Sequence, residues 1–181
     1  MPANPPSRPP RLVERLLEAR FWDSLEQRIP YGAARFLEAV AVCSDPRSVR
    51  SFVKGGPPGE GVVQYRVRPL GGQPVSVRAH TADLWAITDM LPPYHLPPRD
   101  VVPENDAREI WDLGTNIGLA MAQLALRYPK ARVTGVEMDQ SNLELCRRNV
   151  APYGERCQVL HAAVWSSDGE VSYSLSGEAF S

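Results

Sequence analysis

From Ala107 onward the sequence alternates short apolar runs with amphipathic stretches at the spacing of strands and helices, and this most tightly limits its fold. Ile110 to Leu113 reads as a strand, and a glycine turn follows it. A helix from about Ile117 to Arg127, a strand Arg132 to Val136, a helix Ser141 to Val150 and a strand Gln158 to Val164 continue the pattern. Such alternation predicts an α/β fold with a parallel sheet wound by helices. Gly169 then turns the chain into Val171-Ser172-Tyr173, which reads as a further strand. Proline marks the same boundary: 16 of the 18 prolines lie at or before Pro103, and only Pro129 and Pro152 follow.

The upstream part has a different texture. Residues 1–10 hold five prolines and read as a disordered or extended tail. Leu12, Val13, Leu16, Leu17, Phe21, Leu25 and Ile29 recur at helical spacing until Pro30 stops them. This helix, with Phe21 and Trp22, is expected to pack on the domain that follows. A second helix is expected from Gly32 to Val42, and Ser44-Asp45-Pro46 predicts a capped third helix through Val53. Alternation over Val62–Val67, the pair Gly71-Gly72 and the run Val75–Ala79 predict a β-hairpin. Thr81 is expected to cap a helix through Met90, and Leu91 to Pro103 forms a proline-rich connector. The organisation is therefore a tail (1–10), helices with a hairpin and connector (11–104), and an α/β unit (105–181).

Composition removes several classes of function. Twenty Lys and Arg face 21 Asp and Glu, for a net charge of −1, so no basic excess suits a nucleic acid or an anionic membrane. Residues 101–181 are mildly acidic, with 7 basic and 11 acidic side chains. No apolar run approaches the roughly 18 residues of a membrane helix, and Met1-Pro2-Ala3-Asn4-Pro5-Pro6 lacks the apolar core of a signal peptide. Cys43, Cys146 and Cys157 form an odd set without metal spacing, as expected of buried thiols in a reduced cytoplasm. No metal requirement is expected.

The informative stretch is Asp112-Leu113-Gly114-Thr115-Asn116-Ile117-Gly118, between a strand and a helix. Glycines there let the backbone approach a ligand, and the following helix offers free N–H groups to an anionic one. Nineteen residues after Gly118, at the end of the next strand, stands Glu137, which can accept hydrogen bonds from both hydroxyls of a ribose. Together they imply an adenosine-containing ligand. The turn is G-x-x-x-G, with Asn116 where a dinucleotide fingerprint has glycine, which counts against a nicotinamide dinucleotide. An acid directly before the turn suits a ligand with an amino-acid end, such as S-adenosylmethionine.

These residues resemble a known family. Asp112 to Gly118, Glu137, Asn142, Arg148-Asn149 and the run from His161 to Gly169 are similar, in that order, to the FkbM-type methyltransferases. Val77-Arg78-Ala79-His80-Thr81-Ala82-Asp83-Leu84 is similar to the segment preceding that family's cofactor domain. The resemblance covers about residues 61–181. It implies a Rossmann-like class I methyltransferase fold and S-adenosylmethionine-dependent O-methylation of a small-molecule, sugar or polyketide-type hydroxyl. By position, Asp112, Gly114, Asn116 and Gly118, with Thr115 in the same turn, surround the methionine part of the cofactor. Glu137 takes the ribose and Met138 packs on the adenine. Ala163 stands where related enzymes place an adenine-reading Asp or Asn.

The resemblance stops in Ser176-Gly177-Glu178-Ala179-Phe180-Ser181, where the family continues with an acidic strand motif and further strands. An incomplete sheet is therefore expected, to be completed by a missing C-terminal segment, a partner chain or a second copy. Half a sheet leaves an unpaired strand edge and exposed apolar surface. The alternative to an enzyme is a truncated or partner-dependent cofactor-binding module without catalysis. Leu91-Pro92-Pro93-Tyr94 is similar to the Asx-Pro-Pro-Tyr signature of DNA and RNA amino-methyltransferases, but Leu91 replaces the accepting group, so it reads as connector. His161 is expected to pack or to touch the cofactor, and His80 and His95 to be structural or solvated. The catalytic base is unassigned.

Overall fold

The computed structural model describes residues 30–56, 61–88, 90, 96–98, 100–170 and 172. The expected tail, the helix from Arg11 to Ile29, the Leu91-Pro92-Pro93-Tyr94 segment, His95 and, apart from Ser172, the strand at Val171–Tyr173 lie outside these residues.

Two helices open the described chain, α1 (Tyr31–Val42) and α2 (Pro46–Val53). Asp45 caps α2 as expected: its carboxylate accepts from the backbone N–H groups of Arg47 and Ser48, and Pro46 occupies the first turn, where no N–H is needed. A hairpin follows, β1 (Val62–Val67) antiparallel to β2 (Gln73–Arg78), with Val62 opposite Arg78 and Val67 opposite Gln73. Helix α3 (Asp83–Thr88) is shorter than expected, and Thr81 Oγ1 accepts from the N–H of Asp83 at its start.

The second part has the expected alternation: β3 (Glu109–Leu113), α4 (Leu119–Arg127), β4 (Arg132–Glu137), α5 (Gln140–Val150) and β5 (Cys157–His161). The strands form a parallel sheet in the order β3-β4-β5, each neighbour reached through a helix. Both crossovers run the same way along the sheet, so right-handed connection puts α4 and α5 on one face. The result is a Rossmann-like α/β unit. β5 is shorter than the expected run to Val164, because its last partner, Glu137 opposite His161, is also the end of β4.

Helix α4 is buried on nearly every side, with Leu119, Met121, Ala122, Gln123, Leu124 and Ala125 inside. That follows from its position between two layers. Toward the sheet, Met121, Leu124 and Ala125 pack with Tyr128, Val133, Cys146 and Val150. Toward the hairpin, Leu119, Ala122 and Leu145 join a larger core with Phe52, Tyr65, Val67, Val75 and Val77. Helices and hairpin thus share one continuous interior with the α/β unit. Arg35 of α1 lies against the rings of Phe52 and Trp85, its guanidinium 4.2 Å and 5.1 Å from their centres.

The other face of the sheet shows exposed apolar side chains among the described residues. Trp111 and Leu113 are 59% and 60% exposed, and Leu160, in the same row as Leu113 across the buried Val136, is exposed as well. Among the described residues β3 pairs with β4 alone, so its second edge has no partner. No described helix is long and apolar enough to cross a membrane.

Candidate functional site

Parallel sheets present their ligands at the carboxyl ends of the strands, where loops leave for the helices. Here the loop after β3 is the glycine turn. The N–H groups of Gly114 and Thr115 both donate to the Val136 carbonyl, at 2.9 and 3.0 Å, which ties the turn to the end of β4. Gly114 (φ 78°), Asn116 (φ 51°) and Gly118 (φ 82°) are left-handed. Asn116 stands where a dinucleotide fingerprint has glycine, and asparagine tolerates this backbone better than most side chains.

The two outer glycines serve different ends. A Cβ on Gly118 would lie 2.6 Å from the Cys146 sulfur and 3.1 Å from its Cα, so this glycine lets α4 seat against α5. A Cβ on Gly114 would meet nothing within 4 Å among the described residues. Thr115 is buried and donates its hydroxyl to Asp112 Oδ2 at 2.7 Å, holding that carboxylate at the root of the turn.

Glu137 joins the two loops. Its Oε2 accepts from the Asn116 N–H and its Oε1 from the Asp139 N–H, each at 2.8 Å. Each oxygen keeps a second lone pair, the capacity that a pair of ribose hydroxyls needs. At 7% exposure the carboxylate is nearly enclosed, and a backbone N–H holds each of its oxygens. Asp139 in turn caps α5, accepting from the Asn142 N–H at 2.8 Å and from the Ser141 hydroxyl at 2.6 Å. The Ser141 hydroxyl bond, ahead of the other contacts, holds the Asp139 carboxyl below the usual value of 3.8.

A hollow lies on each side of Glu137's hydrogen bonds. One, of about 150 Å³, is walled by Gly114, Thr115, Asn116, Leu119, Ala86 and Met90. The other, of about 460 Å³, is walled by Met138, His161, Ala163, Trp165 and Asp168. His161 sits at the end of β5, a ring nitrogen 2.9 Å from the Met138 carbonyl. The structure thus gathers Asp112, Gly114, Thr115, Asn116, Glu137, Met138 and Ala163 at the carboxyl ends of the strands, while Gly118 stands behind them as a packing residue. A larger open groove of about 700 Å³ lies against α1 and α2, lined by Phe36, Val49, Val53, Arg50, Lys54 and Arg68. The candidate site is taken at the strand ends nonetheless, because Asp112 and Glu137, with the backbone groups that hold Glu137, are there. Among the described residues no cluster of His, Cys, Asp and Glu could hold a metal ion.

Two supporting residues escaped functional notice in the sequence. Arg78 of β2 spans from Asp83 to Ser141 and Asn142 at the start of α5. Asn149 of α5 bonds both backbone groups of Ser76 and the carbonyl of Ile117 in the glycine turn. Both lie in stretches of the family resemblance, but nothing in their spacing announces these partners.

The pieces suit a molecule with an amino-acid end, a ribose and an adenine. The acidic root and open glycine turn can receive the first, Glu137 the second, and the hollow at Met138 and Ala163 the third.

No protein-family model matches the chain. It is similar to curated methyltransferases: 36% identical over 77 residues to the tRNA1(Val) (adenine(37)-N6)-methyltransferase of Pedobacter heparinus, covering 41% of this chain and 33% of that protein. It is 26% identical over 157 residues to the release factor glutamine methyltransferase of Neisseria gonorrhoeae, covering 78% of this chain and 56% of that protein. The chain thus spans between a third and about half of the length of these relatives. Among solved structures, the apo form of the S-adenosylmethionine-dependent methyltransferase SibL aligns over 87% of this chain and 42% of its own, with 19% identity and a TM-score of 0.40.

Proposed function

We propose that this chain forms the S-adenosylmethionine-binding part of a methyltransferase. The observation that carries the reading is Glu137, an enclosed carboxylate hydrogen-bonded to both the glycine turn and the loop before α5, beside a hollow lined by Gly114. The sequence similarity to methyltransferases supports it. S-adenosylmethionine, when bound, supplies a sulfonium-activated methyl group for in-line transfer. The chain's own residues bind and orient. Asp112 at the root of the turn receives the ammonium of the amino-acid end, Glu137 accepts from the ribose hydroxyls, and Met138 with Ala163 flanks the adenine.

For the acceptor, the FkbM-type order of motifs favours a hydroxyl of a small molecule or sugar. A second reading, transfer to an amide or amino nitrogen, is favoured by the names of the similar enzymes, which methylate a tRNA adenine and a release-factor glutamine. A net charge of −1 gives little footprint for a polyanionic RNA and ranks that acceptor lower.

Calorimetric titration with S-adenosylhomocysteine, with NAD as control, tests the cofactor reading. Binding is expected for the first and not the second. Removing the ribose hydroxyls from the ligand should weaken binding by about 1.5–3 kcal/mol in the parent and by nothing more in Glu137→Ala. An equal loss in both proteins overturns the assignment of the ribose to Glu137.

A further inference from the structure

Arg78 stands in an odd place. It reaches the first turn of α5, where the helix end presents partial positive charge, so a cation there does not serve the helix. Its hydrogen bonds give another reason. On one side the guanidinium forks onto Asp83, Nε to Oδ2 and Nη2 to Oδ1, both at 2.8 Å, and the Arg78 backbone N–H adds a third bond to Oδ2 at 2.8 Å. Asp83 is 4% exposed, and the Thr81 hydroxyl bridges the Arg78 carbonyl to the start of α3, so this end is fixed. On the other side Nη1 donates to Ser141 Oγ at 2.9 Å and Nη2 to Asn142 Oδ1 at 2.6 Å.

From Ser141 the chain of bonds runs on. Its hydroxyl donates to Asp139 Oδ1, the Asp139 N–H donates to Glu137 Oε1, and Glu137 Oε2 accepts from Asn116 in the glycine turn. Every link is a bond between 2.6 and 2.9 Å. The planar fork of arginine can satisfy three partners at fixed angles, which the point charge of a lysine cannot.

Resting on the cofactor reading above, we propose that Arg78 is a positioning residue: anchored by Asp83, it braces the Glu137–Asp139 loop through Ser141 and Asn142, so that the hairpin sets how well the chain grips an adenosine ribose. The N-terminal elements then do more than cover α4 and α5. They hold the loop in its binding shape before the ligand arrives, which removes part of the ordering cost of binding.

The test uses the full chain and two variants. Arg78→Lys keeps the charge and loses the fork. Ser141→Ala, at an exposed position, cuts the relay while leaving the Arg78–Asp83 pair intact. Titration with S-adenosylhomocysteine should show dissociation constants raised about five- to tenfold in both. In the Glu137→Ala background neither change should raise the constant further. Amide hydrogen exchange without ligand should quicken at Asp139 and Asn116 in both variants, with the melting temperature of Ser141→Ala unchanged. Failure of the parent to bind overturns the cofactor reading and this inference with it. Binding by the parent with an unchanged constant and unchanged exchange in Ser141→Ala, or additive losses with Glu137→Ala, overturns the role of Arg78 alone.

Discussion

Asn149 of α5 grips the backbone of Ser76 from both sides, its Oδ1 accepting from the Ser76 N–H at 2.6 Å and its Nδ2 donating to the Ser76 carbonyl at 3.0 Å. The same Nδ2 also donates to the Ile117 carbonyl at 2.8 Å. One side chain, 3% exposed, thereby stitches the hairpin, the helix behind the sheet and the glycine turn together. It mimics a strand partner for β2.

Replacing it should be costly. Asn149→Ala leaves the Ser76 N–H and carbonyl buried without partners, and we expect a loss of about 2–3 kcal/mol in urea unfolding. Asn149→Asp keeps the acceptor but turns a second oxygen on two carbonyls. Its carboxyl should titrate well above the ordinary range, so that this variant loses stability as pH rises from 5 to 8 while Asn149→Ala does not. Equal pH dependence in the two variants would show that the amide does not face these carbonyls.

Such long-range ties explain what the sequence conceals. The described strands, the helices around them, the Asp45 cap and the glycine turn are all legible, because each depends on neighbours along the chain. Arg78 meets the Asn142 side chain across 64 residues and Asn149 meets the Ser76 backbone across 73, and neither contact leaves a pattern in the sequence around its partner. Gly118 illustrates the same limit. Its place in a ligand-like motif suggests cofactor contact, and only the packing of α4 on α5 reveals Cys146 behind it.

Gly114 and Gly118 should respond differently to alanine. Both are left-handed, so each substitution costs about 1–2 kcal/mol of backbone strain. At Gly118 the new methyl also strikes Cys146, and overpacking adds about 1–3 kcal/mol. Gly118→Ala should therefore melt well below Gly114→Ala, and adding Cys146→Ala should recover part of the difference. Gly114→Ala should instead abolish S-adenosylhomocysteine binding in a protein that still folds. Calorimetry and thermal melts on the same samples separate the two effects.

Asp45 offers a plain test of the N-terminal unit. Its carboxylate holds two N–H groups of α2 and the Ser48 hydroxyl at 2.6 Å, while Ser48 Oγ accepts from the Arg66 N–H of β1. The Ser48 hydroxyl bond chiefly keeps the Asp45 carboxyl below 3.8. Its contribution is complete above the unfolded value and is lost as pH falls through the lower folded one. Asp45→Ala should cost about 1 kcal/mol at pH 7 and less at pH 3. An undiminished cost in acid would mean that the cap does not depend on the charge.

The thiols set the behaviour at the opposite end of the scale. Burial pushes Cys43 and Cys146 from 9.0 up to about 12, and both side chains are fully enclosed. The folded chain therefore keeps protons that the unfolded chain gives up above pH 9, so stability is full below that value and falls as pH rises toward 12. Denaturant unfolding between pH 8 and 10.5 should show this decline, and the Cys43→Ala/Cys146→Ala double variant should flatten it. Alkylation gives the independent check. At pH 8 iodoacetamide should leave both thiols of the folded chain untouched and modify both in 6 M guanidinium, because the thiolate is the nucleophile and neither sulfur reaches solvent. Rapid labelling of Cys146 in the folded protein would show that α4 and α5 open at the glycine turn, and the brace from Arg78 to Glu137 would then be looser than its hydrogen bonds imply.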